Sequence, residues 1–112
     1  QVVAMPIQAA DIKRGDIVVF SWPDDIETIH VKRVIGLPGD TVVIRDNIVS
    51  INGKPLDEPY LARGVTTRSF AQMEWKLGDD DYFLLGDGRE KSADSRLLGP
   101  VPADSITHRV VR

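Results

Sequence analysis

With 112 residues, a formal charge of −3 and no cysteine, the chain has room for one compact core but not for a disulfide, a thiolate metal site or a cysteine nucleophile. Its charged residues, 28% of the total, intersperse both signs and leave no electrostatic footprint for nucleic acid, while 42% hydrophobic content is ordinary for a globular chain. No apolar run approaches the roughly 18 residues of a membrane span, and the opening QVVAMPIQAADIKRGD lacks the basic start and long apolar middle of a signal peptide. The chain reads as soluble, or as the soluble part of something longer.

In chain order, β-branched clusters recur between turn signals and never at helical spacing, so the fold class expected is mainly β. DIVVFSW (Asp16–Trp22) is a strand entered through the RGD turn and closed by Pro23 with Asp24 and Asp25. IHVKRVIGL (Ile29–Leu37) is the next, ended by the PGD turn at 38–40. TVVIR and IVSI flank Asp46-Asn47, and Asn52-Gly53 is a strong hairpin signal, because both turn positions of type I′ need positive φ. From Leu61 to Asp80 the pattern weakens, which predicts a looser insertion at 61–80 within a single domain spanning 1–112. YFLLG (Tyr82–Gly86) resumes a buried strand, a polar loop runs from Asp87 to Arg96, and SITHRVV (Ser105–Val111) closes the domain.

Two stretches carry chemistry. Strand alternation puts His30, Lys32 and Val34 on one face and Val31, Arg33 and Ile35 on the other, so one of the faces around Val34 and Ile35 must accommodate a cation. A lysine on an exposed face is the ordinary outcome. The alternative is a desolvated amine, since burial disfavours the ammonium form and leaves a base able to take a proton from a serine hydroxyl. The loop GDGREKSADSRLLGPVP combines Gly86 and Gly88, which allow unusual backbone angles, with Asp87, Arg89, Asp94 and Arg96, which can form charge-assisted pairs, and with the hydroxyls of Ser92 and Ser95. By composition alone it is equally a solvated connection pinned by an Asp94–Arg96 pair.

KRGDIVVF, HVKRVIGLPGDTV and GDGREKSADSR followed by GPV stand in the order and approximate spacing of three boxes of the bacterial type I signal peptidases, and the chain resembles that family over most of its length. INGKPLDEPY (Ile51–Tyr60) is similar to the segment that comes after the lysine box there. The family comprises membrane-bound Ser-Lys proteases (S26) that remove signal peptides. The resemblance implies coiled antiparallel sheets, Lys32 as general base, Ser92 as the hydroxyl orienting it, and Asp94, Ser95 and Arg96 as supports of the site. It also implies partners and a place: signal peptides of secreted preproteins with small residues before the cut, bound as an added strand, at the outer leaflet of the cytoplasmic membrane. No cofactor, metal or nucleic acid is expected.

The sequence departs from the family pattern in two places. Gly88, Glu90 and Lys91 replace the Asn, Asp and Asn of Gly-Asp-Asn-Arg-Asp-Asn-Ser-x-Asp-Ser-Arg, and Lys91 brings a second ammonium towards Lys32. No Ser-Met-x-Pro-Thr-Leu box, the family's nucleophile, occurs; VAMPIQA (Val3–Ala9) has Ala4 before Met5, and its proline comes one residue early. The resemblance therefore places Gln1 downstream of such a box and predicts that this chain alone is inactive. Ser21, Ser50, Ser69 and Ser105 lack a glycine-rich elbow or a His-Asp partnership. His30 and His108 lack ligands at metal spacing, and Trp22, Trp75, Tyr82 and Phe83 read as core or, as the resemblance implies, as membrane-facing surface. Two rival readings are a serine-less homologue that binds extended secreted or pilin segments without cutting them, and a Ser-Lys self-cleaving repressor domain; the GLPGD and SADSR boxes favour the peptidase over the latter.

Overall fold

The computed structural model describes residues 3–111; Gln1, on which the expectation of an upstream serine box bears, lies outside the described residues. Ten strands form two antiparallel sheets. The larger runs in the order β1 (Val3–Pro6), β10 (Ile106–Val111), β2 (Ile17–Trp22), β3 (Asp25–Gly36), β8 (Asp81–Leu85), β9 (Val101–Pro102). The smaller runs β6 (Lys54–Pro55), β5 (Ile48–Ile51), β4 (Thr41–Arg45), β7 (Glu74–Lys76). The mainly β expectation holds. Helix is confined to one turn, α1 (Ser95–Leu98), and two short 3-10 segments, so no helix among the described residues is long and apolar enough to cross a membrane.

Local chemistry accounts for most boundaries. Asp46 and Asn47 take φ of 52° and 65°, and Asn52 and Gly53 take 53° and 86°, so two tight turns fold β4, β5 and β6 into a meander. Pro23 and Asp24 form an equally short turn, which lets β3 start at Asp25 instead of at Ile29 and pair with β2 from Trp22 opposite Asp25 to Ile17 opposite Arg33. The stretch expected to be loose, 61–80, is irregular up to 73, then supplies β7 against β4, where Trp75 is buried. β1, which no local signal marks as a strand, pairs with β10 along the sheet edge.

β3 and β8 divide two cores. Val34, Tyr82 and Leu84 face a cluster with Val18, Phe20, Trp22 and Val101, whereas Ile35, Phe83 and Leu85 face one with Val42, Ile44, Val49 and Trp75. Consecutive residues pointing to opposite faces are both buried because the small sheet covers the back of the β3–β8 ladder. Each such fully buried aliphatic or aromatic side chain contributes about 1.5–3 kcal/mol. Lys32 lies on β3 two positions before its buried end at 34–36.

A polar bolt fixes the turn after β3. Asp40 accepts from Arg14 Nη1 at 2.7 Å, from the Leu37 amide at 2.8 Å and from Asn52 Nδ2 at 3.0 Å, while Arg14 also donates to the Ile35 carbonyl at 2.8 Å. KRGD, GLPGD and ING thus meet in one cluster. Burial pushes the Asp40 carboxyl up, but the hydrogen bonds from Arg14, Leu37 and Asn52 outweigh it and hold the group below the usual carboxylate range. Because the folded value lies below the unfolded one, Asp40 stabilises the fold above the ordinary carboxylate pKa of about 3.9, and that contribution is lost as pH falls through the folded value. In acid thermal melts Asp40→Asn should therefore start less stable at neutral pH and lose less than the parent below about pH 4. Parallel pH profiles for the two proteins would contradict this.

Candidate active site

Lys32 and Ser92, sixty positions apart, meet: Lys32 Nζ lies 3.0 Å from Ser92 Oγ. Strand register explains how. β8 pairs with β3 at Arg33–Leu85 and Val34–Leu84, and extending that register puts Gly86 opposite Lys32, just past the last rung. Gly86 has no side chain, and Ser92 fills its place: a Cβ added there would stand 2.1 Å from Ser92 Oγ and 3.3 Å from Lys32 Nζ. On the other side Lys32 pairs with Val18, so its stem lies at the margin of the first core. Lys32 is only partly buried, because β8 stops at Leu85 and leaves the β3 edge before Arg33 uncovered on that side.

Ser92 is held in place by the residues immediately after it. Asp94 is the N-cap of α1; its carboxylate accepts from the Arg96 amide at 3.2 Å, from Arg96 Nε and Nη2 at 2.8 Å each, and from the Gly86 amide at 3.1 Å. Ser95 Oγ accepts from the Leu84 amide at 3.0 Å. Arg96 Nη2 also donates to the Arg89 carbonyl at 2.8 Å, and Nη1 to that of Arg68 at 3.0 Å. The end of β8 and the SADSR turn are therefore tied directly, with Ser92 between the ties. The Asp94 side chain is 0% exposed and that of Arg96 9%. Removing one partner of such a buried pair leaves the other charge uncompensated, so Asp94→Ala should lower unfolding stability by about 3 kcal/mol or more. A urea midpoint unchanged by the substitution would contradict this.

An open cleft of about 520 Å³ adjoins the pair, with Ser92, Asp94, Arg96, Ser69, Phe70 and Leu97 among its lining residues. Phe70 and Leu97 are largely exposed at 85% and 73%. Two of the other serine hydroxyls are engaged elsewhere: Ser21 Oγ donates to the Ile26 carbonyl and Ser69 Oγ to that of Gln72. Among the described residues Ser92 is thus the serine that hydrogen-bonds to Lys32. His30 lies against Phe20 and Trp22, with ring centroids 5.7 and 6.3 Å away, and no described group of three His, Cys, Asp or Glu residues is placed to hold a metal ion. Sequence reasoning singles out Gly86 and Arg89 but misses what they do, the glycine making room for Ser92 and the arginine lying buried. A glycine at the end of an apolar strand, three positions before an arginine, is the available signal for both.

Residues 2–112 match the family described as signal peptidase, peptidase S26. The chain belongs to that family. It is 45% identical over 96 residues to signal peptidase I of Bacillus amyloliquefaciens, an alignment covering 78% of this chain and 49% of that one. It is 39% identical over 104 residues to a probable signal peptidase I-2 of Synechocystis, covering 88% and 46%. The crystal structure of a signal peptidase I from Enterococcus faecalis V583 superposes with a TM-score of 0.71 at 35% identity, over 86% of this chain and 93% of that one. The chain spans about half the length of the curated relatives it matches. Within the signal peptidase family, then, these 112 residues carry the lysine box and the SADSR box on one β scaffold.

Proposed function

We propose that this chain is the β core of a signal peptidase I-type serine endopeptidase that removes signal peptides from secreted preproteins. The observation that carries the reading is the 3.0 Å contact between Lys32 Nζ and Ser92 Oγ, which joins the two family boxes at one point. In the proposed reaction Lys32 takes the proton from a serine hydroxyl on the upstream segment that the resemblance implies. That serine attacks the peptide carbonyl, the leaving amine receives the proton, and water then hydrolyses the acyl-enzyme. Ser92 aims the lysine, and Asp94, Ser95 and Arg96 hold Ser92.

The geometry supports an extended substrate. β3 pairs with β2 from Asp25 to Arg33, but β8 joins it only from Arg33, so the edge leading to Lys32 is unladdered by β8. A polypeptide added there as a strand would bring a backbone carbonyl towards the lysine, with its side chains alternating into and away from the sheet. Ile26 and Ile29 stand 76% and 70% exposed on the same strand, which supports placing this end against the outer leaflet of the cytoplasmic membrane. The deciding experiment is a cleavage assay on a peptide whose signal region ends in Ala-x-Ala, comparing this chain with the protein extended by its upstream coding sequence. Cleavage by the extended protein that Lys32→Ala abolishes is expected. Inactivity of both would replace this reading with that of a serine-less binding homologue.

A further inference from the structure

INGKPLDEPY supplies two residues that the proposed reaction does not use, Glu58 and Tyr60, and both lie in a closed circuit around Gly86. Arg33 donates from Nε and Nη2 to the Asp87 carboxylate at 2.9 and 2.7 Å, and its guanidinium lies 3.9 Å over the Tyr60 ring. The Tyr60 hydroxyl donates to Glu58 Oε2 at 2.9 Å. Glu58 accepts from Arg89 Nη2 at 2.5 Å and Nη1 at 3.3 Å, and Arg89 Nε donates to the Gly86 carbonyl at 2.9 Å. Gly86 is bonded to Asp87, so the circuit returns to its start.

We propose that Glu58 and Tyr60 are positioning residues for the Lys32–Ser92 pair, acting through Arg89 on the Gly86 backbone and through Arg33 on β3. The inference rests on reading Lys32 and Ser92 as the reactive pair. Arg33 is the residue after Lys32, and Gly86 is the surface against which Ser92 Oγ sits, so the circuit holds both sides of the 3.0 Å contact. Its interior is dry: the Arg89 side chain is 0% exposed and that of Glu58 11%. A buried guanidinium is costly unless every donor is matched, and ion pairs of this kind are retained where they fix a geometry that an apolar substitute leaves loose. Thr67 Oγ1, 3.0 Å from Arg89 Nη1, is a further acceptor, so that each of the three guanidinium nitrogens has a partner. Burial, then the adjoining Glu58 charge and hydrogen bond, push the Tyr60 hydroxyl well above its usual range, so it remains a neutral donor to Glu58.

The test uses the 112-residue chain and requires no turnover, so its failure is separate from failure of the peptidase reading. The five lysines are labelled at the ε-methylene and followed by NMR in the parent and in Ser92→Ala, Glu58→Gln and Tyr60→Phe, with thermal midpoints measured in parallel. Ser92→Ala breaks the contact directly and calibrates the Lys32 shift. Glu58→Gln keeps shape and acceptor oxygen but removes the charge; Tyr60→Phe keeps the ring under Arg33 but removes the donor. Both should move the Lys32 signal roughly half as far as Ser92→Ala does, in the same direction, leaving Lys54 and Lys76 where they were. A lower midpoint with Lys32 unmoved would reduce Glu58 and Tyr60 to packing residues and overturn the proposal. Movement of all five lysines together would overturn it equally, as a general loosening.

Discussion

Gly86→Ala is expected to break the Lys32–Ser92 contact while leaving both residues of the pair unsubstituted. The glycine is needed for space, not for backbone freedom, since Gly86 is not among the positive-φ glycines. An added Cβ would fall 2.1 Å from Ser92 Oγ and 2.7 Å from Ser92 Cβ, inside any tolerable contact. Neither side can yield cheaply. The Gly86 amide is tied to Asp94 and its carbonyl to Arg89, while the turn carrying Ser92 is tied through Asp94 and Ser95 to β8. Overpacking of this kind costs about 1–3 kcal/mol. The hydroxyl must leave its place beside Lys32, so cleavage by the extended protein should fall by about 10- to 100-fold, as expected when a charged group loses one hydrogen bond. A variant with parental activity and an unshifted urea midpoint would show that the loop relaxes freely and that the ties to Asp94 and Ser95 do not hold Ser92.

The fold was legible where side-chain type dictates backbone geometry. Asn52-Gly53 and Asp46-Asn47 announce turns that only a few residues make, and the apolar runs of β2, β4 and β8 coincide with buried strands. It was illegible where tertiary pairing overrides local signal. The first half of β3 reads as polar, yet the Pro23-Asp24 turn lays it against β2. β7 holds three residues and exists because Trp75 enters the second core beside Phe83, with ring centroids 4.7 Å apart. α1 is a single turn set by the Asp94 cap, too short for any periodicity to reveal.

Legibility of the site divides the same way. Strand alternation said that Lys32 shares a face with Val34, and Val34 is indeed core, but alternation cannot say that β8 ends one rung early and leaves the lysine partly open on that side. The pairing of Lys32 with Ser92 came from the order of the family's boxes, since nothing local links positions sixty residues apart. The Asp94–Arg96 pair was readable from spacing, but not its depth, which comes from the Gly86 amide and the Arg89 carbonyl closing over it. Glu58 and Arg89 gave no signal as partners, because ion pairs across thirty-one positions have no period.

The largest effect should come from Lys32 itself, and it separates two roles that the 3.0 Å contact alone leaves indistinguishable. A lysine nitrogen at that distance from a serine oxygen is the geometry of an orienting hydroxyl and also that of a nucleophile beside its base. The roles differ in what their loss costs. Removing a base or a nucleophile that act as one unit typically costs several orders of magnitude, on the order of 10⁴-fold or more. Losing one hydrogen bond to a charged group costs about 1.5–3 kcal/mol, or about 10- to 100-fold in rate. In the extended protein Lys32→Ala should therefore abolish cleavage of the Ala-x-Ala peptide, whereas Ser92→Ala should retain about 1–10% of it and Ser92→Thr, which keeps a hydroxyl, more. The 112-residue chain should show no turnover, as it has no Ser-Met-x-Pro box and its described serines other than Ser92 do not hydrogen-bond Lys32. Turnover by the short chain, lost equally with Lys32→Ala and Ser92→Ala, would make Ser92 the nucleophile and overturn its assignment as the lysine's guide.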